Sequence, residues 1–260
     1  MINNKGQITI FVIIGILIVA MILFFMFFRG GISLNLGGGK PEENPTAYLK
    51  SCIEPSIKDA TKTLASQGGN IKNNLSIQFK FNDEKSATNL NYLCYNLNYY
   101  LPCINQEPML IKHLKEQIES NTSIVVKQCV DDLKNSLEKR GYDVELNYRK
   151  FGVTLLPKKI DVDIDAKMSY SKSGETSSIN GFKFSTPTRF YDLAIVVQEI
   201  TSQEARFCNF EQQGFALFYP EFEIDKFRTG KGDIIYSVTD KKTNEKFRFA
   251  VRGCVIPPGF

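Results

Sequence analysis

Three aspartates spaced two residues apart, Asp161, Asp163 and Asp165, are the densest group of side chains that could do chemistry in this sequence. The segment around them, Lys159–Tyr170, alternates between polar and apolar residues, which predicts a strand. On a strand the three carboxylates share one face, where they would bind a cation such as Ca²⁺ or serve as acid and base in hydrolysis. The spacing lacks the Gly and Glu of an EF-hand loop, so a solvated face paired with nearby lysines is the default interpretation.

Six cysteines are the second group with chemical potential. No C-x-x-C motif is present and His113 is the only histidine, so zinc binding has no motif support. An even number of spaced cysteines favours disulfides in an oxidising compartment, and six buried free thiols are the alternative. The predicted pairs are Cys52–Cys129, Cys94–Cys103 and Cys208–Cys254.

The first two of these pairs have a local reason. Cys94 and Cys103 bracket a short aromatic turn. Cys52 and Cys129 open two similar amphipathic segments, KSCIEPSIKDA and KQCVDDLKNSL, which predict two helices packed side by side. The similarity is consistent with a weak internal repeat, but convergence of two amphipathic helices on one pattern is the favoured explanation.

Known catalytic motifs do not account for the remaining polar residues. The sequence has no G-x-S-x-G elbow, P-loop or G-x-G-x-x-G motif, and the S-x-x-K at Ser169–Lys172 follows a strand rather than opening a helix. Asn74 and Asn121 begin N-x-S/T triplets and are candidate glycosylation sites. We therefore predict no cofactor and no catalytic set.

One apolar stretch, Ile8–Phe28, organises the rest of the chain because it contains no charged residue. As a helix it would span about 31 Å, close to the hydrocarbon thickness of a bilayer. It predicts a transmembrane helix preceded by a cytoplasmic leader, residues 1–7, and followed by a flexible glycine-rich linker, residues 29–45. The short N-terminus favours an N-in orientation with the C-terminal domain outside.

The residues KGQITIFVIIGILIV resemble the class III signal peptide of archaeal type IV pilin-like proteins. The resemblance covers residues 1–28 and implies cleavage between Gly6 and Gln7, with the helix retained and able to bundle with its copies. The fifth mature position is Phe11, where these pilins usually have Glu. An uncleaved signal-anchor is the alternative. The remainder resembles uncharacterised archaeal membrane-anchored surface proteins, which carry no known activity to transfer.

The residues after the linker predict an α+β fold, because helical and strand patterns come in separate blocks. Residues 46–141 predict a helical region with an aromatic strand pair and a helix break at 121–123. Residues 142–260 predict a mainly antiparallel β region with one helix, 190–207.

Charge and topology together define the expected function. Basic and acidic residues number 32 and 28, a balance that excludes a nucleic-acid-binding surface. We expect a single-pass, membrane-anchored cell-surface protein with a disulfide-stapled ectodomain and a structural or partner-binding role, including that of a pilin-like filament subunit. Its expected partners are the bilayer, through Ile8–Phe28, and copies of itself or another surface protein. The alternative is a membrane-tethered envelope hydrolase or metal enzyme using Asp161, Asp163 and Asp165.

Overall fold

The computed structural model describes residues 44–72, 75–82, 84–98 and 100–253. The predicted leader, transmembrane helix and most of the linker lie outside these residues, and so do Gly6, Gln7, Asn74 and Cys254. Within the described part of the chain, no helix combines the length and the apolar character needed to span a bilayer.

The described residues fold as an α+β domain. Its helices are α1 (Pro45–Ser66), α2 (Leu110–Glu138), α3 (Phe190–Phe207) and α4 (Gln212–Phe218). Its strands are β1 (Ser76–Phe79), β2 (Thr88–Tyr95), β3 (Ile104–Asn105), β4 (Asp143–Leu156), β5 (Lys159–Lys172), β6 (Glu175–Pro187), β7 (Phe222–Arg228), β8 (Asp233–Asp240) and β9 (Lys246–Arg252).

Helix α1 begins and ends at residues suited to helix termini. The Asn44 side chain accepts a hydrogen bond from the Ala47 backbone N–H at 2.9 Å, and Pro45 follows at the first helical position. After the helix, Gly68 has a φ of +75°, and a Cβ there would lie 2.8 Å from the Asn91 carbonyl oxygen. A glycine is therefore required at this approach of the helix terminus to β2.

Helix α2 is continuous, so the predicted break at residues 121–123 is wrong. The Asn121 and Thr122 side chains donate to the carbonyls of Gln117 and Ile118, at 2.7 and 2.8 Å. Polar residues that bond back to the preceding turn remain compatible with a helix. The Thr122 side chain is buried, which continues the apolar face across the predicted break.

Helices α1 and α2 pack side by side and run in opposite directions. A disulfide joins Cys52 near the start of α1 to Cys129 towards the end of α2, with the two Cα atoms 6.0 Å apart. At the other end, His113 Nε2 near the start of α2 lies 3.1 Å from the carbonyl oxygen of Gly69. The predicted helix pair and its disulfide are both present.

Strands β4, β5 and β6 form a three-stranded antiparallel sheet. Strand β4 is continuous from Asp143 to Leu156, with a bulge between Tyr148 and Lys150. A second irregularity lies between Ile164 and Lys167 of β5, in its pairing with β6. Bulges let long strands bend and twist without ending, which explains the continuity.

The larger sheet has the order β1-β2-β9-β8-β7, with β3 paired to the other end of β2. Strands β2 and β9 are parallel, so this sheet is mixed, whereas the sequence predicted antiparallel pairing in a mainly antiparallel β region. Strand β2 ends at Tyr95, where the chain enters a loop closed by the Cys94–Cys103 disulfide. The parallel pairing of β2 with β9 therefore joins the two regions predicted from the sequence, residues 46–141 and residues 142–260, in one sheet.

One main hydrophobic core lies between the helices and the two sheets. It includes Leu49 and Ile53 of α1, Leu133 of α2, Ile160 of β5 and Phe249 of β9, all fully buried. A smaller cluster around Phe81, Leu90 and Ile235 covers the other face of the larger sheet. This arrangement positions the surfaces described next.

Candidate functional site

Asp161, Asp163 and Asp165 project from one face of β5, and each faces a basic side chain. The pairs are Asp161 with Lys159 at 2.9 Å, Asp163 with Lys183 at 2.7 Å and Asp165 with Arg149 at 3.6 Å. Hydrogen bonds from Ser185 and Lys159 hold the pKa of the Asp161 carboxyl below its usual range. All three carboxylates are therefore ion-paired: Asp163 and Asp165 with cations on the neighbouring strands, and Asp161 with Lys159 of its own strand.

A polar cleft of about 700 Å³ lies beside Asp163 and Asp165, at the bulges of β4 and β5. Its third carboxylate, Glu119, accepts a hydrogen bond from the Val153 backbone N–H at 2.9 Å. Among the described residues, no group of three or more His, Cys, Asp or Glu side chains is placed to hold a metal ion. Since these carboxylates are already engaged, the geometry does not favour hydrolysis here.

The predicted cysteines are placed as follows. The Cys52–Cys129 and Cys94–Cys103 pairs form the predicted disulfides. Cys208 is not a free thiol, and its predicted partner Cys254 lies outside the described residues. Asn121 is exposed on α2, where a glycan would meet solvent.

A second cleft, of about 530 Å³, opens where α1, the β6–α3 junction and the β8–β9 turn meet. We call it the α1 cleft. Its inner wall consists of five buried apolar side chains, and its mouth carries charged ones. The wall residues are Ile57, Ala65, Ile160, Phe190 and Leu193; the charged residues are Lys58, Lys62, Glu84, Glu245, Lys246 and Arg248.

Strand β9 has two neighbours near the α1 cleft. Strand β2 pairs with β9 over Tyr92–Tyr95 and Ala250–Arg252, with an irregularity after Tyr92. Helix α1 contacts β9 as well.

Within the described part of the chain, Thr186 Oγ1 and Arg248 Nε of the cleft lining are buried polar atoms without a hydrogen-bond partner. Thr186 is 1% exposed and Arg248 is 8% exposed. A buried donor or acceptor without a partner costs about 1–3 kcal/mol, so such atoms are uncommon in native folds. The sequence patterns did not identify Thr186 or Arg248 as candidate functional residues.

The guanidinium of Arg248 is fixed from two sides. It forms an ion pair with Glu84, and it lies 4.0 Å from the centroid of the Phe81 ring. A guanidinium over an aromatic face is attracted by the negative face of the ring. Arg248 therefore supplies a positive charge of fixed position at the cleft.

The β8–β9 turn on the opposite side is also held in place. Asp240 accepts hydrogen bonds from the Lys242 and Thr243 backbone N–H groups and from Arg189 Nε. Glu245 accepts from the Thr188 hydroxyl at 2.6 Å. The cleft is therefore built from ordered elements on all sides, as expected for a preformed site.

A third feature is the segment of residues 96–109, which begins within the ring closed by the Cys94–Cys103 disulfide. We call this segment the Cys94–Cys103 loop. It exposes five large apolar side chains: Leu97, Tyr100, Leu101, Ile104 and Met109. No charged residue occurs from Asn96 to Gln106. Hydrogen bonds within the loop, such as Asn96 Nδ2 to the Pro102 carbonyl at 2.9 Å, support the disulfide in fixing its shape.

In comparisons with known proteins, no protein family, curated protein or solved structure matches the chain.

Proposed function

We propose that this chain is a single-pass membrane-anchored protein whose disulfide-stapled α+β domain is displayed outside the cytoplasm and binds a protein partner. The observation that carries the proposal is the pair of disulfides, Cys52–Cys129 and Cys94–Cys103. Structural disulfides persist in oxidising compartments and are rare in cytosolic proteins. The uncharged segment Ile8–Phe28 supports the proposal by supplying an anchor of suitable length.

The Cys94–Cys103 loop is the proposed partner-binding surface. Large exposed apolar patches on a folded domain are typical of interaction sites. Its aromatic and aliphatic side chains are of the types enriched at the centres of protein interfaces, where charge is depleted. The disulfide reduces the ordering cost of binding, because the loop is fixed before a partner arrives.

Mass spectrometry of the full chain from its native membrane tests the anchor and the compartment. We expect the mass to lack two hydrogens for each disulfide, and we expect protease added from outside to digest the domain while the anchor stays with the membrane. Six free thiols, or a domain digested only after the membrane is opened, would contradict the proposal.

Photo-crosslinking tests the partner surface. A photoreactive residue at Ile104 should trap one protein of defined mass, and Leu97→Ser should abolish that product. The matched control is the same photoreactive residue at Ile124, an isoleucine on α2 that is more exposed than Ile104. Equal products from both positions would reject the loop as the surface, and a product of twice the chain mass would identify a second copy instead.

The pilin-like variant of this proposal adds processing between Gly6 and Gln7 and bundling of the Ile8–Phe28 helices. The similarity of residues 1–28 to class III signal peptides supports it. The same mass measurement tests it, because removal of residues 1–6 is expected and an intact Met1 would exclude it.

A further inference from the structure

A groove of about 910 Å³ lies between helix α3 and the short helix α4. We call it the α3–α4 groove. Its apolar lining includes Ile195, Phe218 and Tyr219, whose residues are 43%, 81% and 49% exposed. A partner lying in the groove would therefore contact these side chains directly.

Helix α4 presents apolar side chains to solvent although its shape is fixed. All seven of its residues are exposed or partly exposed, and the stretch 212–220 contains no charged residue. At its start, Glu211 accepts a hydrogen bond from the Gln213 backbone N–H at 3.1 Å. The rings of Phe215 and Tyr219 stack with their centroids 4.6 Å apart. Exposed apolar surface on an ordered element is typical of an interaction site.

The rim of the groove is acidic even after its ion pair is subtracted. Asp192 pairs with Arg189 at 3.4 Å, which removes one carboxylate and one cation. The lining then keeps three exposed carboxylates and one exposed cation: Glu199, Glu211, Glu221 and Lys158. Glu199 accepts a hydrogen bond from the Gln203 side-chain amide and Glu211 one from a backbone N–H, and both donors are neutral. The excess negative charge therefore stays available to a partner.

We propose that the α3–α4 groove binds a basic amphipathic helix of a protein partner. The apolar side chains of that helix pack on Ile195, Phe218 and Tyr219, and its lysines and arginines face the acidic rim. An amphipathic helix laid into an apolar groove is a recurring mode of recognition. This role goes beyond partner binding by the Cys94–Cys103 loop, because the two surfaces share no residue.

The charge of the rim favours a basic protein over a membrane surface as the occupant. Exposed side chains such as Leu217 and Phe218 would also suit the interface of a bilayer. Membrane binding of this kind is strengthened by Lys and Arg that attract anionic lipids, whereas the carboxylates of Glu199 and Glu221 would repel them. Opposite charges across an interface steer association and select the partner, so the acidic rim selects a basic helix.

A fluorescent reporter confined to the groove tests the proposal, because the chain contains no tryptophan. Phe218→Trp, in the full chain in nanodiscs of zwitterionic lipid, places one indole at the groove. The probe is a synthetic helical peptide of leucine and lysine, which should shift the indole emission to the blue by covering it. Ile124→Trp is the matched control, because Ile124 is almost as exposed as Phe218 but lies on α2. We expect a saturable shift with Phe218→Trp and none with Ile124→Trp.

Matched probes and substitutions separate charge recognition from apolar contact. A leucine–glutamate peptide of the same length and pattern should bind weaker by about tenfold or more. In the Phe218→Trp chain, Glu199→Lys reverses a rim charge and should weaken the leucine–lysine peptide about three- to tenfold. Glu145→Lys makes the same change on β4, outside the groove, and should leave the affinity within about twofold. Ile195→Ser removes an apolar contact and should weaken binding about fivefold.

Several results would overturn the proposal. Equal affinity for the two peptides would show that the groove recognises only apolar side chains, and unchanged affinity in both Glu199→Lys and Ile195→Ser would place the peptide elsewhere. Without peptide, a blue shift of Phe218→Trp on addition of anionic lipid would make the bilayer the occupant, and one that grows with chain concentration would make it a second copy. Absence of any shift in a chain whose disulfides are intact would remove the groove as a binding site, while crosslinking at Ile104 would still test the loop.

Discussion

At the scale of single residues, the least expected feature is a charged group deep in the core. Glu204 of α3 is 1% exposed, and its carboxylate accepts a hydrogen bond from the Tyr236 hydroxyl and pairs with Lys226 Nζ at 3.1 Å. Burial and the adjacent Glu204 charge raise the pKa of Tyr236, so its hydroxyl stays protonated as a donor. The cluster joins α3 to strands β7 and β8.

Removing the cation of this cluster should be costly, because it leaves a buried carboxylate without its counter-charge. We expect Lys226→Met to lower the free energy of unfolding by about 3–5 kcal/mol, measured by urea denaturation. Lys183→Met is the control, because it breaks an exposed pair with Asp163 and should change the free energy of unfolding far less. Equal losses of unfolding free energy in the two variants would show that the buried pair contributes no more to stability than the exposed one.

Asp240 gives the pH prediction. Its burial alone would raise the pKa of the carboxyl, but hydrogen bonds from Thr243 and the charge of Arg189 outweigh this and lower it. The carboxylate therefore stabilises the fold above its unfolded-state pKa, about 3.9, and this contribution is lost as the pH falls through the lowered folded value.

Asp240→Asn should accordingly lower the melting temperature at pH 7 and flatten its decline below about pH 4. The measurement is thermal unfolding by circular dichroism across pH 2–7, with Asp143→Asn, an exposed aspartate at the start of β4, as the control. Parallel pH profiles for Asp240→Asn and the unsubstituted chain would contradict the assignment.

At the scale of elements, the two described disulfides should contribute differently to the free energy of unfolding, because they close loops of different length. Cys52–Cys129 spans 77 residues and Cys94–Cys103 spans 9. By loop-closure entropy, Cys52→Ala with Cys129→Ala should cost about 4 kcal/mol, and Cys94→Ala with Cys103→Ala about 2–3 kcal/mol.

Guanidinium denaturation of the two double variants measures both costs. The reverse order would mean that the short loop is needed for packing beyond its entropic effect, for example through the contact of Cys103 with Gly253.

The elements also show what a sequence can predict. Helix α3 was located at 190–207 because Leu193, Val197 and Ile200 repeat at helical spacing and all three are buried. Helix α4 was missed because its seven residues bury no side chain, so no apolar period marks it. The α2 break was wrong because its three polar residues bond back within the helix rather than ending it.

Sequence patterns could not predict features that depend on contacts between distant segments of the chain. The parallel pairing of β2 with β9 joins residues more than a hundred positions apart, and no local period encodes the choice of strand partner. The α1 cleft is lined by residues from α1, β5, β6, α3 and β9, so Thr186 and Arg248 had no local signal of their own. The Cys52–Cys129 pair was predictable because two amphipathic helices carried the same local pattern around a cysteine.

At the scale of the whole molecule, the two sheets share one core although they come from different stretches of the chain. Ile160 of β5 and Phe249 of β9 are both fully buried members of it. Helix α1 contacts both β6 of the smaller sheet and β9 of the larger one. Elements that bury one continuous apolar surface are expected to unfold together.

Ile160→Ala and Phe249→Ala should therefore each shift one common unfolding transition, by about 2–5 kcal/mol, even though they lie in different sheets. Far-UV circular dichroism and tyrosine fluorescence should give coincident midpoints in urea for both variants. Ile124→Ala, an exposed change on α2, should leave the midpoint in place. Two separate transitions, each sensitive to only one of the substitutions, would mean that the smaller sheet is an independent cooperative unit and that the shared core does not couple it to the rest.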